Sequence, residues 1–178
     1  LSMMLRLYEC LVDLFIQDFS YKLRGRYITR VDSEIREVVH TYQSGEIRFS
    51  IYTPNWVCAY RRRSFSEKEP ETLEWINKYG GNGAFYDIGA NIGVYSLYYA
   101  KRHNGKVFSF EPSVFNLRQL AKNISFNSLT DRVTIITNPL SDKSGEATFT
   151  NGNIDEGGAF NAFGVDHGHD LSLIHISE

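Results

Sequence analysis

One stretch limits the folds open to this chain more than any other: Phe85–Ser96, FYDIGANIGVYS. Residues 84–88 form a short apolar run broken by a single acid, Asp87. Gly89-Ala90-Asn91-Ile92-Gly93 follows, and then Val94, Leu97, Tyr98 and Ala100 at helical spacing. The stretch reads as strand, glycine turn, helix. Glycine lacks a Cβ and tolerates positive φ, so the backbone of such a turn can approach a ligand closely. The free N–H groups of the helix start then point at whatever lies above them. An acid at the end of the strand suits a cationic or hydroxyl-bearing ligand better than a bare pyrophosphate.

The chain repeats the strand–helix alternation. KVFSF, residues 106–110, predicts a second strand ending in Glu111-Pro112. Ser113 is placed to cap a helix in which Leu117, Leu120, Ala121 and Ile124 recur at i, i+3, i+4 and i+7. RVTIIT, residues 132–137, is a third strand rich in β-branched side chains. Strands separated by helices of this length imply right-handed crossovers and a parallel sheet, hence an α/β fold. Upstream, residues 46–52 alternate as a half-buried strand stopped by Thr53-Pro54-Asn55, and a helix begins near Pro70 and ends at Gly80-Gly81. Downstream, Asp142–Gly145 turns the chain into a further strand over 146–150, and 151–170, rich in glycine, asparagine and aspartate, reads as a loop. At the other end Leu7, Leu11, Leu14 and Phe15 share one face of an amphipathic helix over 4–24. It is expected to pack on the domain or on a second subunit, giving a homo-oligomer. The expected organisation is a helical N-terminal extension over 1–45 and a domain over 46–170.

Composition narrows the function classes. The 178 residues suffice for one core, and 42% apolar with 22% charged residues is ordinary for a globular domain. The net charge is −2, with 10 basic and 7 acidic side chains in residues 1–63 against 9 and 14 in the remainder. So small a split argues against nucleic acid as a partner. Cys10 and Cys58 are too few and too far apart for a disulfide framework or a zinc site. No run is long and apolar enough for a membrane span, and charges interrupt the opening segment, so it is not expected to act as a signal peptide. A reduced, cytoplasmic setting is the expectation.

In open α/β sheets ligands bind beyond the carboxyl ends of the strands. Asp87 ends the first strand and Glu111 follows the second, 18 residues after Gly93. An acid there can accept hydrogen bonds from two ribose hydroxyls, which points to a nucleoside-bearing cofactor. A nicotinamide-dependent oxidoreductase would want G-x-G-x-x-G. Registered on Gly89, this chain has Asn91 and Val94 at the second and third glycine positions. A nucleic-acid methylase would want an Asn/Asp-Pro-Pro-aromatic segment, and only Asn138-Pro139-Leu140 occurs. A non-catalytic cofactor-binding module remains the third alternative. His167 and His169, in DHGHD, do not with their neighbouring acids fix a metal geometry, so no metal is expected.

DIGANIG resembles the acid-x-G-x-G/N-x-G turn of class I S-adenosylmethionine-dependent methyltransferases. The wider pattern is similar to the FkbM-type family of these enzymes: Asp87–Ser96 as DxGANxGxYS, then Phe110-Glu111-Pro112, then Asn116, Leu120 and Asn123, with KEPETLEWI upstream and PLSDKSGEATF downstream. The resemblance runs from about Pro54 to Asp170. It implies a Rossmann-like sheet and S-adenosylmethionine as cofactor. Gly89, Ala90, Asn91 and Gly93 would shape the loop around the methionine moiety, with Asp87 near its amino group. Glu111 would hold the ribose, and residues 138–142, among them Asn138 and Ser141, would border the adenine. The expected reaction is O-methylation of a sugar or natural-product hydroxyl, so the partner is a small-molecule or glycan substrate. No catalytic base stands out in the sequence. The final LSLIHISE, residues 171–178, matches an in-frame reading of a transposon-end sequencing adapter and is set aside as non-native. On that reading the chain is a C-terminally truncated, inactive domain, in which the strand at 84–88 has no partner on its far side.

Overall fold

In a computed structural model of the chain, residues 34–43, 45–141, 149–150, 155–159 and 162–163 are described. All that follows belongs to the unit beginning at Ile35. The expected N-terminal helix over 4–24, the DHGHD segment and residues 171–178 lie outside the described residues.

The unit opens with an antiparallel hairpin of β1 (Ile35–Tyr42) and β2 (Gly45–Tyr52), paired from Ile35↔Tyr52 to Tyr42↔Gly45. Residues 35–42, expected within a helical extension over 1–45, form a strand instead. Val38 is buried and His40 and Tyr42 half-buried, while Glu37, Val39 and Thr41 between them are exposed, so the period is two and not 3.6. Three helices follow: α1 (Trp56–Arg63), the single turn α2 (Phe65–Lys68) and α3 (Pro70–Tyr79). Helix α1 escaped the sequence reading because only Cys58 of its residues is buried. Asn55, read there only as a strand stop, caps it by accepting from the Cys58 N–H at 2.9 Å. Pro70 occupies the first turn of α3 and Gly80 ends it, as expected.

The centre is β3 (Ala84–Ile88), α4 (Val94–Arg102), β4 (Lys106–Phe110), α5 (Val114–Phe126) and β5 (Val133–Ile136). The sheet is parallel, in the order β3-β4-β5, with Ile88, Phe110 and Ile136 in register at its carboxyl end. Right-handed crossovers put α4 and α5 on one face. Phe85, Val107 and Val133 point under them into a core shared with Leu97, Tyr98, Leu120 and Ile124. Each fully buried aliphatic side chain contributes about 1.5–3 kcal/mol. On the opposite face Tyr86 stacks on Phe108 (5.4 Å between ring centroids), and Tyr86 and Ile88 are exposed. Among the described residues no strand pairs with the far side of β3. Two short antiparallel strands, β6 (Phe149–Thr150) and β7 (Ala162–Phe163), pair with each other, so residues 162–163 depart from the expected loop.

Helix α5 buries amides as well as apolar groups. Asn116, Leu120, Asn123 and Asn127 fall on one stripe, and all four are buried. Asn127 accepts from the Ser50 N–H and donates to the Ser50 carbonyl, closing the edge of β2 as another strand would. Asn123 accepts from the Tyr52 N–H at 2.9 Å and donates to the Ile92 carbonyl at 2.8 Å, tying the hairpin to the glycine turn.

Candidate functional site

The turn after β3 is shaped by three left-handed residues in five: Gly89 (φ 78°), Asn91 (φ 53°) and Gly93 (φ 86°). The Gly89 and Ala90 N–H groups both donate to the Phe110 carbonyl at 2.9 Å, and Gly93 N–H closes onto the Ala90 carbonyl. A Cβ on Gly93 would lie 2.5 Å from Leu120 Cδ1, so that glycine lets α5 approach. A Cβ on Gly89 would meet nothing within 4 Å. The backbone there faces open space, as a ligand-approach position requires.

Glu111 lies beside this turn and is 3% exposed. One carboxylate oxygen accepts from the Asn91 N–H at 2.7 Å and the other from the Ser113 N–H at 2.8 Å. The Ser113 side chain, expected to cap α5, makes no capping bond. Each oxygen keeps a further lone pair for a hydroxyl donor. Of the expected site residues, the structure therefore brings Gly89, Ala90, Asn91, Gly93 and Glu111 together at the carboxyl edge of the sheet. Asn138 and Ser141 are exposed and leave the same edge two and five residues after β5 ends.

Asp87 sits differently. Its side chain is 9% exposed and accepts from Ser96 Oγ of α4, which lies 2.6 Å from Ser109 Oγ of β4. Burial pushes its carboxyl up to about 6 against the opposing Ser96 hydrogen bonds, and the charges of Glu111 and Glu69 add to the rise. The carboxylate is directed into the sheet–helix layer, where it fixes the start of α4.

Several residues at this edge were not anticipated. Arg61 is half-buried, and its Nε donates to the Gly157 carbonyl at 2.5 Å. Burial lowers its pKa, and Cys58, Glu69, Glu111 and Tyr95 act on it in the opposite sense. Tyr95 is raised by burial and by Glu69, with which it hydrogen-bonds. The available signal for the asparagines was their helical spacing on a stripe that also carries Leu120: a polar residue on a core face has a partner to satisfy. Among the described residues no helix is long and apolar enough to cross a membrane.

No protein-family model matches the chain, and no curated protein matches it. Solved structures do. One, described as an rRNA-methylase from Clostridium thermocellum, is 22% identical with a TM-score of 0.37, over 39% of this chain and 41% of that one. Another, described as an S-adenosyl-L-methionine-dependent methyltransferase from Methanococcus maripaludis, is 22% identical with a TM-score of 0.38, over 46% and 40%. TYW2 from P. horikoshii, in complex with MeSAdo, is 21% identical with a TM-score of 0.40, over 62% and 39%. The chain thus spans about two fifths of the length of these structures. The expected exclusion of nucleic acid does not stand, because an rRNA-methylase is among the structures matched and a weak charge split gives no ground against it. The fold is mixed α/β, with a Rossmann-like three-stranded parallel sheet.

Proposed function

We propose that the chain is the cofactor-binding part of a class I S-adenosylmethionine-dependent methyltransferase of FkbM type, and that its methyl acceptor is a hydroxyl of a sugar or natural product. The observation that carries this reading is the junction of Glu111 with the glycine turn. A buried carboxylate after β4 holds the N–H of Asn91, while Gly89 leaves open backbone beside it. A ribose with two vicinal hydroxyls fits an acid in that place, and a methionine tail fits the turn. A dinucleotide would need a closer backbone approach at Asn91, where a side chain stands. The acceptor class rests on the motif resemblance alone. Methyl transfer from a sulfonium asks the protein chiefly for proximity and in-line alignment, and a base for the accepting hydroxyl adds to that.

Titration calorimetry on the 178-residue chain tests the reading, with S-adenosylhomocysteine and NAD as separate titrants. Saturable heat with the first and none with the second is the expected result. Binding of NAD alone overturns it. A panel of sugar and nucleic-acid acceptors with radiolabelled S-adenosylmethionine, run on a chain extended past Asp170, then tests the acceptor class.

A further inference from the structure

Residues 155–159, DEGGA, cross the carboxyl edge of the sheet, and their peptide groups are held by side chains from three different elements. The Glu156 carbonyl accepts from Asn55 Nδ2 at 3.0 Å and from Cys58 Sγ at 3.2 Å. The Gly157 carbonyl takes Arg61 Nε at 2.5 Å. The Gly157 N–H donates to Asn116 Oδ1 at 2.9 Å. The Gly158 carbonyl accepts twice, from Asn116 Nδ2 at 3.2 Å and from Asn91 Nδ2 at 2.6 Å. Gly157 and Gly158 are both buried, and Gly157 has φ 83° with a Cβ position only 3.1 Å from Cys58 Sγ. A surface turn whose only task is to reverse the chain leaves its peptide groups to water. This one has them held inside the protein.

Asn91 is where the segment meets the glycine turn. Its N–H goes to Glu111, its Oδ1 accepts from the Ile92 N–H and its Nδ2 goes to Gly158. The Asn91 side chain is therefore committed to protein. Asn116 is 1% exposed, and both ends of its amide are bound to the same segment.

We propose that residues 155–159 are a strap that holds the glycine turn in its left-handed shape through Asn91. Asn116 and Arg61 are then positioning residues for the adenosyl ligand, which they do not touch. The ligand assignment rests on the methyl-donor reading above; the positioning itself does not. The strap works through shape. Loosening it leaves Asn91 Nδ2 without its acceptor, and the N–H of Asn91 then drifts from Glu111, the group that faces the ribose. Two sites coupled in this way share a coupling free energy, and loss of one contact in such a chain lowers affinity by about tenfold.

The test uses the 178-residue chain with Asn116→Ala and Arg61→Met, at a temperature where circular dichroism shows each variant folded. Amide hydrogen exchange without ligand reads the turn directly. Exchange at Asn91 and Ile92 is expected to rise about tenfold in both variants, while Val107 and Phe108 in β4 stay at the wild-type rate. Affinity for S-adenosylhomocysteine is expected to fall about tenfold. Turn amides that keep the wild-type rate, or that change in step with β4, overturn the strap. Arg61→Met decides alone where Asn116→Ala does not fold. Wild-type chain that fails to bind S-adenosylhomocysteine, with the exchange result intact, overturns the methyl-donor reading and supports the positioning role. Wild-type binding with unaltered exchange in the variants does the reverse.

Discussion

Helix α4 runs between two clusters that look alike in composition and differ in kind. Each has glycines, charge drawn at least halfway out of solvent and backbone groups needing partners. At the carboxyl end of the helix the charge is a cation. Arg132 donates to the carbonyls of Ala100 (3.0 Å), His103 (2.5 Å) and Gly105 (2.7 Å), and the Tyr99 hydroxyl lies 3.2 Å from the carbonyls of both Gly81 and Gly83. A guanidinium there complements the negative end of the helix dipole. At the amino end the charges are acids, Asp87 and Glu111. The glycines tell the two apart. A Cβ on Gly105 would sit 1.9 Å from the Gly83 carbonyl, whereas one on Gly89 would meet nothing. The first glycine is required by packing within the protein. The second is required by its φ of 78°, and it leaves room for something that is not protein.

That contrast can be broken in four places. Gly105→Ala has the largest expected effect, a loss of about 3 kcal/mol or more in urea unfolding, because a backbone carbonyl cannot move aside as a side-chain tip can. A loss under 1 kcal/mol would remove the packing explanation. Next is Asp87→Asn. The folded carboxyl titrates at about 6 and the unfolded one at 3.8, so the folded state binds the proton more tightly between those values. The wild type is favoured at the acid end and loses about 3 kcal/mol as pH rises through 6. Relative to the wild type, the variant should therefore gain that amount between pH 3.5 and pH 8. A stability difference that does not move with pH would show that Asp87 titrates normally. Arg132→Met should cost about 2 kcal/mol from three released carbonyls, with S-adenosylhomocysteine affinity unchanged for the folded protein. Weakened affinity there would blur the line between the two ends. Gly89→Ala is the mildest for the fold, about 1 kcal/mol for a left-handed alanine, yet it should weaken ligand binding about tenfold. An alanine variant that binds as well as wild type would remove Gly89 from the site.

The parallel sheet was legible because its signals are local. Residues 84–88, 106–110 and 132–137 each carry an apolar run closed by a turn, and two of the three matched to the residue. The glycine turn and Glu111 were legible for the same reason. What stayed hidden depends on partners distant in sequence. β1 is a strand because β2 pairs with it, and nothing within residues 35–42 outweighed the helical pattern before them. Asp87 was read from its place before the turn as lying near the ligand's amino group, and only the fold shows Ser96 and Ser109 beside it. Arg61 carries no local signal of its role because its acceptor, Gly157, is 96 residues away.

The thiol of Cys58 has a use that its chemistry alone would not suggest. Burial, more than any other cause, pushes it up to about 11, and it rests beneath the strap against the Glu156 carbonyl. An alkylating reagent reaches that sulfur only while the segment is lifted. At saturating reagent, the labelling rate of Cys58 then counts openings per second, and at low reagent it gives the fraction of time open. The chain thus carries its own reporter of how firmly the strap is seated, readable by mass spectrometry without a fluorophore.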